Sequence, residues 1–289
     1  MDSRLRGNDL ILIGITMINN RIENKFKELR ARKKKAFIAF ITAGDPNLKT
    51  TEELVVAFEK CGVDLVEIGV PFSDPLADGP TIQAASQRAL QKKVTLKKIL
   101  ESVRKIRQRS EIPIALMTYY NPVLHFGEEK FTQSARDAGV DGVIIPDLPP
   151  EEAGSLLKSA RKNNLAVIFF LSPTTTTERM KRIVKLSRGF IYYVSITGVT
   201  GARSHLPEEI KNNVQLAKRY TKTPICVGFG VSTAAQVKSV ARVSDGVIVG
   251  SAIVNEIFRN AGKKDLVKNV ARFVSRLAVI LNPEGLKDL

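Results

Sequence analysis

Glu67 stands inside the apolar run D-L-V-E-I-G (residues 64–69), between Val66 and Ile68. A carboxylate there needs a reason, because burial disfavours its charged form. In an extended chain Leu65, Glu67 and Gly69 share one face. If that face lines the inside of a closed sheet, Glu67 sits in a low-dielectric interior. Its pKa is then raised, and it can trade protons near neutrality. A buried carboxylate paired with Lys or Arg would give the same pattern. The next run, V-P-F-S-D-P-L-A-D-G-P-T-I-Q (residues 70–83), places Asp74 and Asp78 four residues apart among Pro71, Pro75 and Pro80. Prolines restrict the shapes open to a loop, as a reactive loop requires. Turn prolines with capping aspartates would read alike.

Two glycine-containing turns suit an anion. G-F-G-V-S (residues 228–232) and G-S-A-I-V (residues 250–254) each come after a short apolar run and are expected to open a helix. Glycine lets backbone amides approach a ligand, and a helix N-terminus attracts negative charge. Either motif alone also fits a plain tight turn; paired on the last two runs, they predict a phosphate site. The stretch S-I-T-G-V-T-G-A-R (residues 195–203) supplies Gly198 and Gly201 as hinges of a lid or as a third phosphate contact. His125 and His205 are the only histidines, and neither has a partner at metal-ligand spacing. No metal site is expected, and acid–base work falls to the carboxylates.

These residues need a scaffold, and the chain has a rhythm that supplies one. Eight apolar runs, at residues 37–41, 64–68, 113–117, 142–145, 166–170, 190–194, 224–227 and 246–249, alternate with segments of helical periodicity. The runs are continuously apolar, as expected for parallel strands covered on both faces. T-T-E-E-L-V-V-A-F-E-K-C-G reads as a helix opened by threonine caps and stopped at Gly62. Eight such units in a chain of this length predict a single-domain (β/α)8 TIM barrel. An open doubly wound sheet is the alternative, weakened because no G-x-G-x-x-G comes after the first run. The longest intervals lie after the second and sixth runs. Both open with segments rich in Gly, Pro, Ser, Thr and Asp, at the end of the barrel where such folds build their sites.

Composition narrows the classes further. The chain has 289 residues, 44% of them hydrophobic, and a net charge of +16. The basic run at residues 30–35 has little aromatic interleaving and reads as solvated surface, not a nucleic-acid site. No apolar stretch is long enough to span a membrane. Cys61 and Cys226 make neither a disulfide framework nor a metal-ligand pair, so a reducing, cytoplasmic setting is expected. Residues 1–16 do not match the rest of the chain and are expected to be a disordered or mis-assigned extension. The barrel domain is expected over residues 17–289, with a helix beginning near Met17.

Several longer motifs occur in order. They are F-I-T-A-G-D-P (residues 40–46), V-E-I-G-V-P-F-S-D-P-L-A-D-G-P-T-I-Q (66–83), T-Y-Y-N-P-V (118–123), V-I-I-P-D-L-P-P-E-E (143–152), Y-Y-V-S-I-T-G-V-T-G (192–201) and the two glycine turns. Together they resemble the tryptophan synthase alpha subunit family, the segment around Glu67 most specifically. The resemblance implies a lyase that cleaves indole-3-glycerol phosphate to indole and glyceraldehyde 3-phosphate by a retro-aldol reaction. Glu67 would be the acid–base group, and Asp78 would hold the indole N–H. Tyr192 would sit beside the reacting side chain, with Phe40, Ile82, Met117, Ile144 and Phe170 around the indole. Gly201, Gly230, Gly250 and Ser251 would contact phosphate. It also implies a beta-subunit partner in an alpha2-beta2 heterotetramer, contacted through Asp74, Pro75, Tyr120 and Asn121. Pyridoxal phosphate would belong to that partner, and this chain would carry no cofactor of its own. A catalytically silent barrel that only activates a beta subunit is the alternative.

Overall fold

The computed structural model describes residues 20–194, 208–228 and 230–282. The expected N-terminal extension, the lid stretch 195–203 and Gly201 lie outside the described residues, and the helix expected to begin near Met17 begins at Arg21, where the extended Asn20 caps it by accepting from the Ile22 amide. The chain runs α1 (Arg21–Ala31), β1 (Ala36–Thr42), α2 (Leu48–Lys60), β2 (Leu65–Gly69), α3 (Pro80–Gln91), α4 (Leu96–Arg107), β3 (Ile114–Met117), α5 (Tyr120–Phe126), α6 (Glu128–Ala138) and β4 (Gly142–Ile144). It continues through α7 (Gly154–Lys162), β5 (Ala166–Ile168), β6 (Phe170–Leu171), α8 (Thr177–Leu186), β7 (Ile191–Val194), α9 (Glu208–Lys218), β8 (Ile225–Gly228), α10 (Ala234–Ala241), β9 (Gly246–Val249), α11 (Ser251–Asn260) and α12 (Leu266–Ala278).

All strand pairs are parallel, in the order β5-β4-β3-β2-β1-β9-β8-β7-β6. The two ends of this order are neighbours in the chain. The single fifth run expected at residues 166–170 is two short strands broken at Phe169, and the second reaches Leu171. β5 pairs with β4 and β6 pairs with β7, so the run changes partner midway and the barrel closes through it. A staggered register of this kind is what closing a tilted sheet demands.

Alternation along each strand sorts the apolar residues into two layers. On β1, Phe37, Ala39 and Ile41 pack outward under the helices, while Ala36 and Ile38 pack inward. The inner cluster also takes Leu65, Ala115, Ile144, Ile168, Phe190, Cys226 and Ile248. Ile22, Phe26 and Leu29 of α1 close its lower end. Small residues make space for large ones within this layer. A Cβ on Gly69 would lie 2.6 Å from Cζ of Phe40, and one on Gly228 would lie 2.7 Å from the Tyr192 hydroxyl.

Local signals set the helices. Asn47, not a threonine, caps α2: its side chain accepts from the Thr50 amide at 2.8 Å, which leaves Thr50 and Thr51 inside the helix. The helix ends as expected at Gly62, whose φ of 82° favours glycine. The long interval after β2 holds α3 and α4, and a second short helix, α5, stands between β3 and α6.

Asp141, at the entrance to β4, ties the lower rim together. Its carboxylate accepts from Arg107 at 2.8 Å, from Arg21 at 3.1 Å and from the Ile114 amide at 2.9 Å. Its carbonyl accepts from the Asn20 side chain at 2.7 Å. Only 5% of the Asp141 side chain and 10% of Arg107 are exposed. Removing one partner of a buried pair strands the other charge, at a cost of about 3–5 kcal/mol. Asp141→Ala is therefore expected to lower stability by about 3 kcal/mol or more. A shift of the urea midpoint within scatter of the parent would refute this role.

Candidate active site

β2 places Glu67 opposite Phe40 on β1 and Ala115 on β3, on the inner face with Leu65. Its exposure is 0%, and neither carboxyl oxygen has a hydrogen-bond partner among the described residues. Among the described residues no Lys or Arg reaches it, which speaks against the paired-carboxylate alternative. Burial alone pushes its pKa up to about 8, so the group is mostly protonated at neutral pH. Tyr192 and Cys226 share this interior. Burial pushes both upward, and the field of Glu67 adds to it.

Asp78 arrives from the loop between β2 and α3. Burial pushes its pKa up to about 6, and a hydrogen bond from the Tyr119 hydroxyl partly offsets the rise. Burial and the Asp78 charge in turn push the Tyr119 phenol upward. The same Tyr119 oxygen accepts from the Ala77 amide at 2.9 Å, and the Tyr119 ring stacks on Phe72 with centroids 5.2 Å apart. The loop closes on itself through the Asp78 amide, which donates to the Pro75 carbonyl at 3.0 Å. Gln83 donates to the Asp78 carbonyl at 2.8 Å. Pro80 then occupies the first turn of α3, where a missing N–H costs nothing. The loop is thus held by side-chain hydrogen bonds as well as by its prolines.

A chamber of about 680 Å3 opens at the C-terminal ends of the strands. Phe40, Asp78, Ile82, Met117, Phe170 and Tyr192 line one part of it, and Gly228, Gly230, Gly250 and Ser251 another. Phe170 and Tyr192 pack with centroids 4.8 Å apart. Burial holds the Tyr192 phenol well above its usual range, and the charges of Glu67 and Asp78 add to that. Glu67 itself is sealed behind the lining. With no exposure, it meets a ligand only after its own or a neighbouring side chain moves. Ile144 is brought to a different place than expected. It is fully buried in the inner cluster and does not line the chamber, because short β4 ends one level below the mouth.

The glycine turns differ from each other. α11 starts at Ser251 directly after Gly250, with no side-chain cap over its N-terminus. α10 does not start at the first glycine turn. Its N-cap is Thr233, and the Ser232 and Thr233 amides donate to Oε1 of Gln236 in a capping box. The cap consumes donors that the motif alone would offer to an anion. Gly230, with φ of 55°, still presents its backbone at the chamber wall.

The expected partner-facing residues stand around the mouth. Asp74 is exposed and accepts from the Ser73 hydroxyl, Asn121 is exposed on α5, and Pro75 and Tyr120 are half-buried. Leu76 and Leu124, 93% and 57% exposed, stand beside them in sequence. Sequence reasoning missed Tyr119 as the partner of Asp78; its place directly after β3, at the functional end, was the available signal. It also missed Asp45, held by Arg88 of α3 through bonds of 2.9 and 2.6 Å, which fixes α3 and hence the end of the Asp78 loop. Among the described residues no three His, Cys, Asp or Glu side chains stand together as metal ligands.

Comparison with known proteins agrees with this geometry. The family model described as tryptophan synthase alpha chain matches residues 26–281. The tryptophan synthase alpha chain of Geotalea daltonii is 52% identical over 257 residues, covering 89% of this chain and 97% of that one. That of a Thermoanaerobacter species is 46% identical over 262 residues, covering 91% and 100%. The crystal structure of tryptophan synthase subunit alpha from Legionella pneumophila superposes with a TM-score of 0.85 at 38% identity, covering 92% and 99%. A chain of tryptophan synthase from M. tuberculosis, in an aminoacrylate-bound form, gives 0.82 at 32% identity, covering 91% and 100%. With its barrel, its sealed glutamate and this likeness over nearly its whole described length, the chain belongs to the tryptophan synthase alpha chain family.

Proposed function

We propose that Glu67 and Asp78 together move the protons in the cleavage of indole-3-glycerol phosphate to indole and glyceraldehyde 3-phosphate. That cleavage is the lyase reaction of the family. The observation that carries the assignment is a fully buried, unpartnered carboxyl behind a chamber that a second carboxyl enters from the loop above.

Phe40, Ile82, Met117 and Phe170 offer apolar walls for a flat ring, with Ile144 supporting them from below. The uncapped N-terminus of α11, with Gly250 and Ser251, attracts the phosphate, and Gly230 lets its backbone approach. Gly201 is proposed as a further phosphate contact from the lid stretch. Protonated Glu67 donates to the ring carbon that bears the glycerol side chain. Positive charge then spreads to the ring N–H, which the Asp78 carboxylate accepts and stabilises. Glu67, now ionised, takes the proton of the side-chain hydroxyl as the carbon–carbon bond breaks and its electrons return to the ring. Indole and an aldehyde leave, and Glu67 is again protonated. Tyr192, wedged beside both carboxyls, positions the reacting side chain. Tyr119 keeps Asp78 ionised and aimed at the chamber.

The family name implies a beta-subunit partner. We assign it to the mouth around Asp74, Pro75, Tyr120 and Asn121, in an alpha2-beta2 assembly whose pyridoxal phosphate the partner holds. Exposed Leu76 and Leu124 support that face as the one covered. A cytoplasmic setting suits two buried free thiols, and no described helix is long and apolar enough to cross a membrane.

Glu67→Gln is expected to lower kcat by about a thousandfold while substrate still binds, measured by indole release and by titration. Normal turnover would remove Glu67 from the mechanism. The same variant reports on the burial. The folded carboxyl, with its pKa at about 8 against an ordinary value of 4.5, holds a proton that the unfolded chain releases. The parent therefore loses stability as pH rises between those values, by about 1.4 kcal/mol per unit at most. The stability advantage of Glu67→Gln should grow from pH 5 to pH 9, and a pH-independent difference would contradict a buried acid.

Activity needs Glu67 protonated and Asp78 ionised, so kcat/KM should trace a bell with limbs near pH 6 and 8. Tyr119→Phe removes the bond that stabilises the Asp78 charge and should move the acidic limb to higher pH. An unmoved limb would show that Tyr119 does not act on Asp78. Gly230→Asp, which places a carboxylate at the chamber wall, should raise the substrate dissociation constant; an unaltered constant would take Gly230 out of the phosphate site.

A further inference from the structure

A second cavity, of about 420 Å3, lies at the opposite end of the barrel, between α1 and the segments that lead into β7 and β8. Its charge is one-sided. Lys27 and Arg30 come from one face of α1 and Lys222 from the segment before β8, and none of the three has a carboxylate partner among the described residues. The one acid in the lining, Glu23, is held at 3.0 Å by Arg188. Arg30 donates to the Lys222 carbonyl at 2.7 Å and so latches the helix to the opposite wall.

A second observation concerns Ser187. It lines the same cavity and is only 6% exposed, and its hydroxyl, itself closed to solvent, has no hydrogen-bond partner among the described residues. A buried hydroxyl left unpaired carries a free-energy penalty that a ligand oxygen would remove. Three unneutralised cations around one concavity repel each other until an anion enters. Phe26 adds an apolar wall, and the volume lies in the range of small-molecule sites, beyond what a bare oxyanion fills.

We propose that this cavity binds a small phosphate monoester, with its phosphate among Lys27, Arg30, Lys222 and the Ser187 hydroxyl and its organic part against Phe26. The site is separate from the catalytic chamber and does not depend on the roles given to Glu67 and Asp78.

Backbone amide NMR on the full chain separates this site from the chamber, which also attracts phosphate. Inorganic phosphate and ribose 5-phosphate are titrated at low ionic strength, where charge is least screened. The expected result is a saturable shift of the Ser187, Gly189 and Thr223 amides with both probes, tighter with the sugar phosphate. In Lys27→Glu/Lys222→Glu the apparent affinity at these amides should fall by about tenfold or more. The Gly250 and Ser251 amides should respond as in the parent. The proposal is overturned if the three amides do not shift, or if their affinity is the same in the charge-reversed protein. Tighter binding of inorganic phosphate than of ribose 5-phosphate would overturn the assignment to a monoester. Ser187→Ala, a smaller change, should weaken binding without lowering the thermal midpoint; unchanged binding there would take the hydroxyl out of the site.

Discussion

An ionisable carboxyl with no partner, enclosed on every side by a closed sheet, is the constraint on which the rest of this molecule turns. Glu67 has 0% exposure and two unsatisfied oxygens. Such a group destabilises the folded chain once it ionises, and the penalty must be offset by the packing around it. The barrel is suited to that load. Two apolar layers, one inside the strands and one beneath the helices, bury most large side chains. Glycines at Gly69 and Gly228 leave room for the Phe40 and Tyr192 rings within this layer. A Lys or Arg in that space would stabilise the carboxylate and abolish its use as an acid near neutrality. In the proposed mechanism, the absence of a partner among the described residues is what lets the group serve as a proton donor.

The second carboxyl is tuned differently, and the contrast divides the labour. Asp78 lies on a loop, half-buried, where burial lifts its pKa only to about 6 and Tyr119 opposes even that. At neutral pH one acid is protonated and the other is ionised. Two identical environments would yield two groups in the same state and no acid–base pair. The scaffold produces the difference by position alone: a strand interior for Glu67, and the rim of the mouth for Asp78. Rigidity divides in the same way. Glu67 is set by parallel hydrogen bonding on both sides of β2, whereas Asp78 depends on Tyr119, on local loop bonds and on the Asp45–Arg88 pair that anchors α3.

Much of this was legible in the chain. Parallel strands covered on both faces are uninterrupted apolar runs, so all eight stand out, and a glutamate inside one stands out further. Phe40, Met117 and Phe170, proposed to line the ring, and Tyr192, proposed beside the reacting side chain, share the inner face because that face is fixed by period two once one residue is assigned. What depends on stagger was not legible. Ile144 shares that face but lies a level too low, and the break at Phe169 arises from where the barrel closes, a property of all strands together. Contacts between distant segments were hidden for a related reason. Nothing local to Tyr119 says that its hydroxyl meets Ala77 and Asp78, and nothing in G-F-G-V-S says that Gln236 will occupy the amides at its end.

The position of Tyr119 also bears on how a partner could be felt in the chamber. It is the residue before α5, and its neighbours Tyr120 and Asn121 belong to the face assigned to the beta subunit. The Tyr120 amide donates to Asp147 at 2.9 Å and its hydroxyl to Glu128 at 3.0 Å, so the start of α5 is tied to the loop after β4 and to α6. A protein that presses on α5 would therefore move or steady a segment whose cap residue, Tyr119, partly offsets the burial of Asp78. Leu76 extends the same surface from the loop that carries Asp78 itself. Docking at this rim, as proposed, would act on both sides of the Tyr119–Asp78 hydrogen bond, while Glu67, held within the sheet, would stay where β2 puts it. Partner binding should thus tune the loop carboxyl and the closure of the chamber more than the buried acid.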